Sequence, residues 1–310
     1  MKRTNDLRFT FFGTPILIAW ILLIALGASA KPESLYGSDI PALGRPLPVE
    51  PGFKPRSGAY YYKIDFNSVN VGTACISIDR ENDLYKVHVQ AQTIGMVDRV
   101  YSMRYQGDSL METDPLSPVK SKMQQEVKST EKITTISFQE NGTIKATEKK
   151  TKHGGQAKYD VRQVQPERFT LDPFSASYLV RALDWKPGVE KVFAVYTGKN
   201  QYELRLRCDS RVTVEIAGEK RDAWVIVPRV ANLDPIKQAQ ASKKKPASMK
   251  IYVSADELKD VLKIEASHTM GTFRVLLDRF DPADNQGKSV VAQAKAVATQ
   301  GEDAASSESN

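Results

Sequence analysis

The sequence predicts an all-β protein, with a large curved antiparallel sheet forming a barrel-like or sandwich body and one short helix. Three observations lead there. Apolar and aromatic residues alternate with polar ones in one segment after another, glycine-centred turns join those segments at hairpin distance, and no strand–helix–strand alternation occurs. About ten or more strands in one antiparallel sheet curl or split, so a closed or layered body is expected rather than a flat sheet.

The chain opens with Lys2, Arg3 and Arg8 ahead of an apolar run over 15–26 that closes on Ala28-Ser29-Ala30. A basic flank, an apolar core and small residues before a scissile bond describe a secretory signal peptide over 1–30. A retained anchor is the competing reading, because the uncharged stretch over 9–30 is long enough to span a bilayer. No cysteine follows Ala30, so lipoprotein acylation is not expected. The expected location is the periplasm or another extracytoplasmic envelope compartment, with at most peripheral membrane association after cleavage. Formal charge is +7 for the whole chain and about +5 without the leader, a mild excess. Export, and lysines that are not interleaved with aromatics, exclude nucleic acid as the expected partner. An envelope protein, a lipid or an anionic glycan fits better.

Residues 31–57 hold Pro32, Pro41, Pro46, Pro48, Pro51 and Pro55 and read as a proline-rich extended segment. A β domain follows over 58–281. Its first strand places Tyr60, Tyr62, Ile64 and Phe66 on one face, and the same period of two recurs in Tyr85, Val87, Val89 and Ala91. It recurs again in Tyr101, Met103 and Tyr105, and in Tyr202, Leu204, Leu206 and Cys208. Asn141-Gly142 supplies a positive-φ pair for a tight hairpin between 136–138 and 143–145. Residues 197–200 turn 192–196 onto 202–207, residues 217–220 join 212–216 to 223–227, and residues 268–271 join 261–267 to 272–280. The one expected helix is capped by Asp172 and opened by Pro173, with Phe174, Tyr178 and Ala182 on one face and Lys186-Pro187-Gly188 at its end. At about twelve residues it is marginal alone, so it should plug an end of the sheet or lie across its apolar face. Residues 282–310 read as a disordered polar tail. Short, irregular strands disfavour an outer-membrane pore.

With those segments placed, the chain resembles the DUF3108 family of exported bacterial proteins. Tyr60-Tyr61-Tyr62-Lys63-Ile64 and Val71-Gly72-Thr73-Ala74 resemble the family's opening strands. The segment from Asp172-Pro173-Phe174-Ser175 through Tyr178 to Arg181 resembles its middle motif. Ile251-Tyr252-Val253, Leu262-Lys263-Ile264-Glu265 and Gly271-Thr272-Phe273-Arg274 resemble its closing strands. The resemblance covers about 58–280 and implies an exported, mainly β domain of uncharacterised function. It supplies no catalytic residues. Lys259-Asp260-Val261 and a longer loop at Lys243, Lys244 and Lys245 depart from the family pattern, so a relative's partner need not transfer.

The residues offer little reactive chemistry. His88, His153 and His268 show no metal-ligand spacing, and no metal or cofactor is expected. Ser175 and Ser177 lack a nucleophile elbow and read as local backbone partners beside the Asp172 cap. Asp256 with Glu257, and Asp281 with Asp284, read as turn chemistry rather than paired catalytic acids. Gly154-Gly155 lacks a phosphate-loop setting. Cys75 and Cys208 fall on separate strands, Cys208 on an apolar face and Cys75 opposite Ala74, Ile76 and Ile78, and their pairing stays open.

Two binding features stand out. Tyr60, Tyr62, Phe66, Tyr85, Tyr101, Tyr105 and Tyr178 are aromatic groups that could face a ligand, although most such side chains fill a core. Lys149, Lys150 and Lys152, together with Lys243, Lys244 and Lys245, could form an anionic-surface contact, with Lys145, His153 and Lys158 nearby, or simply solvate loops. The expected function is therefore nonenzymatic, a binding or structural protein of the envelope. The alternatives are a hydrophobic-ligand carrier, a chaperone, or, less favoured, a hydrolase pairing Ser175 or Ser177 with His88 or His268.

Overall fold

Period-two alternation builds fifteen strands in the computed structural model, which describes residues 46, 49–51, 53, 55–152, 154–234, 248–268 and 271–283. The expected leader, most of the polar tail, His153, Lys243, Lys244, Lys245 and the His268 side chain lie outside the described residues. In chain order the elements are β1 (Gly58–Phe66), β2 (Val69–Glu81), β3 (Leu84–Thr93), α1 (Gly95–Val100), β4 (Met103–Thr113), β5 (Leu116–Val127), β6 (Thr130–Phe138), β7 (Ile144–Lys152) and β8 (Lys158–Val164). They continue with β9 (Thr170–Leu171), α2 (Pro173–Ala182), β10 (Glu190–Tyr196), β11 (Gln201–Ile216), β12 (Glu219–Asn232), β13 (Ser248–Ser254), β14 (Val261–His268) and β15 (Gly271–Pro282). No helix among the described residues is long and apolar enough to cross a membrane.

All the strands form one sheet, in the order β8-β7-β6-β5-β4-β3-β2-β1-β15-β14-β13-β12-β11-β10-β9. Neighbours are antiparallel except β9 and β10. The first and last strands meet in the middle, with Tyr60 opposite Phe280 and Phe66 opposite Phe273. Among the described residues the sheet is not closed by strand pairing, but it curls until its halves touch. Arg162 of β8 donates to the Gly198 carbonyl at 3.0 Å, and Tyr196 packs with Ile136, Ile144 and Ala146. Register shifts at Tyr61/Tyr62, Leu110/Met111, Cys208/Ser210 and Tyr252/Val253 supply local bends of the kind that curvature requires.

Most turns lie where alternation and glycine put them. Ala217 (φ 51°) and Gly218 (φ 83°) make the two-residue hairpin between β11 and β12, the paired positive φ that a type I′ turn needs. The Asn141-Gly142 turn is wider than expected. Only Gly142 takes a positive φ, and the link closes through the Gln139 N–H and the Thr143 carbonyl at 2.9 Å. The segments expected over 202–208 and 212–216 fuse into the single long strand β11, because a bulge absorbs the break.

Tyr101 is not on a strand. Gly95 (φ 61°) turns the chain out of β3 into α1, a second helix that the alternation did not reveal, and Tyr101 is its C-terminal cap. The expected helix, α2, is confirmed at its start, where the Asp172 carboxylate accepts the Ser175 N–H at 2.7 Å and Pro173 opens the first turn. It ends at Ala182, before Lys186, and Trp185 folds back to donate to the Val180 carbonyl at 2.8 Å. Every α2 residue except Ser177 is buried, so the helix lies across the inner face of the curled sheet. The proline-rich approach is docked where it is described: the Glu50 N–H donates to the Ala182 carbonyl at 2.6 Å, and Phe53 packs on Tyr178.

Candidate functional site: a cavity under the buried helix

The inner face of β1–β3 carries Tyr60, Tyr62, Ala74, Ile76, Ile78, Val87 and Val89, aligned by cross-strand register. These side chains, with Tyr105, Ile251, Val261, Ile264 and Val275 from neighbouring strands, wall a cavity of about 130 Å³. Its remaining wall is α2, through Phe174, Ser177, Tyr178, Val180 and Arg181. Gly107 of β4 lets the helix approach: a Cβ there would lie 2.4 Å from Phe174 Cζ. The lining is overwhelmingly hydrocarbon, so the space suits an apolar group.

One polar corner interrupts it. Arg181, buried on α2, donates from Nε to the Lys259 carbonyl at 2.8 Å and from Nη2 to Tyr60 Oη at 3.1 Å and the Leu258 carbonyl at 3.2 Å. The same nitrogen lies 3.3 Å from Asp260 Oδ1, while Asp260 Oδ2 accepts from Arg56 at 2.6 Å and Arg221 at 3.2 Å. Burial opposes the charge on Arg181, but the Tyr60 and Tyr178 phenols and the Asp260 carboxylate outweigh it and hold its pKa above the ordinary arginine value. The network ties α2 to the β13–β14 loop and to Arg56. Lys259 adds a 2.9 Å ion pair to Glu50, so the approach segment joins the same assembly.

The tyrosines are held neutral. Burial raises the phenol pKa of Tyr60, Tyr62, Tyr105 and Tyr178 above the usual range. The Tyr62 hydroxyl donates to the Val261 carbonyl at 3.2 Å, whereas the Tyr178 hydroxyl is buried at the cavity wall beside Tyr85. At the other end of α2, burial raises the Asp172 pKa, with the Ser175 N–H opposing it. The Ser121 and Ser175 hydroxyls stand beside the same carboxylate and oppose that rise as well.

Of the aromatic residues singled out in the sequence, Tyr60, Tyr62, Tyr105 and Tyr178 gather at the cavity. Tyr85 stands behind, its ring 5.1 Å from that of Tyr178, and Phe66 pairs with Phe273 at 4.6 Å, away from the lining. Tyr101 sits beside α1 under Lys128, 5.6 Å away. Arg181 was missed as a site residue, although it closes the segment over 172–181 that resembles the family's middle motif.

The β7 lysines separate. Strand alternation puts Lys149 on the face of β7 opposite Lys150 and Lys152, and Lys132 pairs with Glu148 at 2.8 Å beside them. Of the hydrolase candidates, Ser177 and His88 lie on different faces, and the His268 side chain is outside the described residues. Ser177 lines the cavity and donates to the Pro173 carbonyl at 2.6 Å, while His88 points to the other face of β3, its Nδ1 2.7 Å from Asp108 Oδ1. Cys75 and Cys208 are both free thiols, and burial pushes Cys208 up to about 11. Among the described residues, no three His, Cys, Asp or Glu side chains gather into a metal-holding group.

The family model described as "Protein of unknown function (DUF3108)" matches residues 61–278. No curated protein matches the chain in sequence. Among solved structures, the chain is similar to a beta-barrel-like protein of the domain of unknown function DUF1849 from Brucella abortus, at 10% identity and a TM-score of 0.45, covering 75% of this chain and 99% of that one. It is also similar to a protein from Bacteroides fragilis provisionally described as exported and YmcC-like in fold, at 6% identity and a TM-score of 0.31, covering 74% and 98%. A hypothetical protein from Chlamydia trachomatis matches at 10% identity and a TM-score of 0.30, covering 76% and 92%.

Proposed function

The chain belongs to the DUF3108 family of proteins of unknown function, and from that premise we propose that it is a nonenzymatic binding protein of the cell envelope that takes the apolar end of an envelope lipid into the cavity under α2. The cavity carries the reading: it is walled by aliphatic and aromatic groups, with the Tyr178 hydroxyl at its wall as a polar group for an occupant. Its size sets the limit. At about 130 Å³ it is close to the roughly 150 Å³ cavity that admits benzene, so it holds a chain terminus or a small apolar group rather than a whole lipid. The export pattern over 1–30 supports an extracytoplasmic site of action.

Strand addition by an exported chain is the second reading, favoured by the unpaired edge of β8, where Tyr159 and Val161 are 67% and 72% exposed. Lys158, Asp160 and Arg162 on the same strand weigh against it, because charges on an edge discourage pairing. Native mass spectrometry of protein recovered from the envelope separates the two. The proposal expects a noncovalent adduct of lipid mass that Val89→Phe, which fills the cavity, removes; bare protein in both cases would defeat it.

A further inference from the structure

We propose that the rim of the barrel carrying α1 is a membrane-contact surface that seats the protein on an anionic bilayer. In an antiparallel meander, turns alternate between two rims. The β1–β2, β3–β4, β5–β6, β7–β8, β10–β11 and β14–β15 links share one rim, and β2–β3, β4–β5, β6–β7, β11–β12 and β13–β14 share the other. The first rim bears the most exposed apolar groups of α1 and its neighbour: Met96 is 83% exposed, Val100 78% and Val69 63%. α1 sits against β2, and the Ile94 N–H donates to the Val71 carbonyl at 3.0 Å, which brings Val69 beside the helix.

The rim is preorganised. Arg104 holds the Asp98 carboxylate at 2.6 and 2.9 Å, Thr93 hydrogen-bonds the same carboxylate, and the pairing with Arg104 lowers the Asp98 pKa to about 2. Five exposed basic groups stand at its turns, Arg99, Lys128, Lys152, Lys158 and Lys199, against one exposed acid, Glu126, one residue inside the end of β5. The opposite rim carries exposed Glu81, Asp83, Asp114, Glu140, Glu219 and Glu257. Apolar tips flanked by cations on one rim, with acids on the other, match the charge order of an anionic bilayer and fix which end faces it. A protein partner would need a continuous contact patch, whereas separate protruding side chains with flanking basic groups suit insertion between headgroups. This inference does not depend on an occupant in the cavity.

Tryptophan placed at each rim of the full chain tests it. With vesicles of phosphatidylglycerol and phosphatidylethanolamine, Met96→Trp should shift to shorter emission wavelengths and be quenched by brominated acyl chains, while Glu140→Trp should show neither. Each rim variant is read as the difference from the parent chain, whose own Trp20, Trp185 and Trp224 emit in every sample, so the introduced tryptophan is isolated from the leader. Met96→Ser with Val100→Ser should weaken vesicle partitioning about tenfold, and Arg99→Glu with Lys128→Glu by a similar factor, lost in high salt. Equal quenching at both rims, no quenching at Met96→Trp, or unchanged partitioning in both double variants would overturn the proposal. So would sedimentation showing that Met96 and Val100 instead drive self-association without lipid.

Discussion

Asp260→Asn removes the charge at the junction of α2, the β13–β14 loop and Arg56 while keeping the side-chain volume. Asp260 is fully buried, and three guanidinium groups converge on it. Breaking a buried ion pair costs about 3–5 kcal/mol, since the remaining charge is left without compensation. The Arg56 and Arg221 side chains are 32% and 19% exposed and keep some solvation, but that of Arg181 is only 7% exposed, so the lower end of about 3 kcal/mol applies. For a domain of this size, that loss lowers Tm by roughly 6–12 °C. Thermal unfolding followed by circular dichroism measures it. Arg181→Met added to Asp260→Asn should recover part of the loss, because it removes the least solvated of the three guanidinium charges that Asp260→Asn leaves uncompensated. A Tm within about 2 °C of the parent, or a double variant weaker than the summed singles, would refute the claim that this network pins the helix.

Asp172→Asn tests the buried cap by its pH dependence. A raised carboxylate pKa means the folded state holds the proton more tightly than the unfolded chain, so that stabilisation is complete below the ordinary aspartate range and is lost as pH rises through the folded value. Urea midpoints of parent and variant should therefore agree near pH 3 and separate at neutral pH in favour of Asp172→Asn, whose amide can donate to Ser121 or Ser175; the reverse order would sink the assignment. Gly107→Ala should cost about 1–3 kcal/mol in urea unfolding, since the added methyl enters the Phe174 ring. Unchanged stability would mean that α2 does not press on β4 as described.

Local chemistry was legible where one segment suffices to specify it. Period two placed Tyr60, Tyr62, Val87, Val89, Leu204 and Leu206 inside, and Asp172-Pro173 marked the start of α2. The single curved sheet follows from hairpin after hairpin, but the pairing of β1 with β15 does not, because nothing in either strand names a partner so distant in sequence. α1 escaped for a different reason. Its apolar residues Met96, Val97 and Val100 face water, so it has no buried stripe to announce a helix, and Tyr101 beyond it mimicked the alternation of β4. Four of the seven aromatic candidates line the cavity. Strand alternation names a face; it does not say whether that face meets a cavity, as at Tyr105, or another ring, as at Tyr85 and Phe66. Arg181 was hidden because its partner Asp260 is 79 residues away.

Xenon pressurisation of crystals of the delipidated protein probes the cavity most directly, since dry apolar cavities of roughly 150 Å³ bind xenon or benzene. One ordered xenon peak is expected, bounded by Val87, Val89, Tyr178 and Ile264 and absent in Val89→Phe. Ordered water filling that space, or side chains collapsed into it, would contradict the claim that the barrel keeps an apolar berth beneath α2.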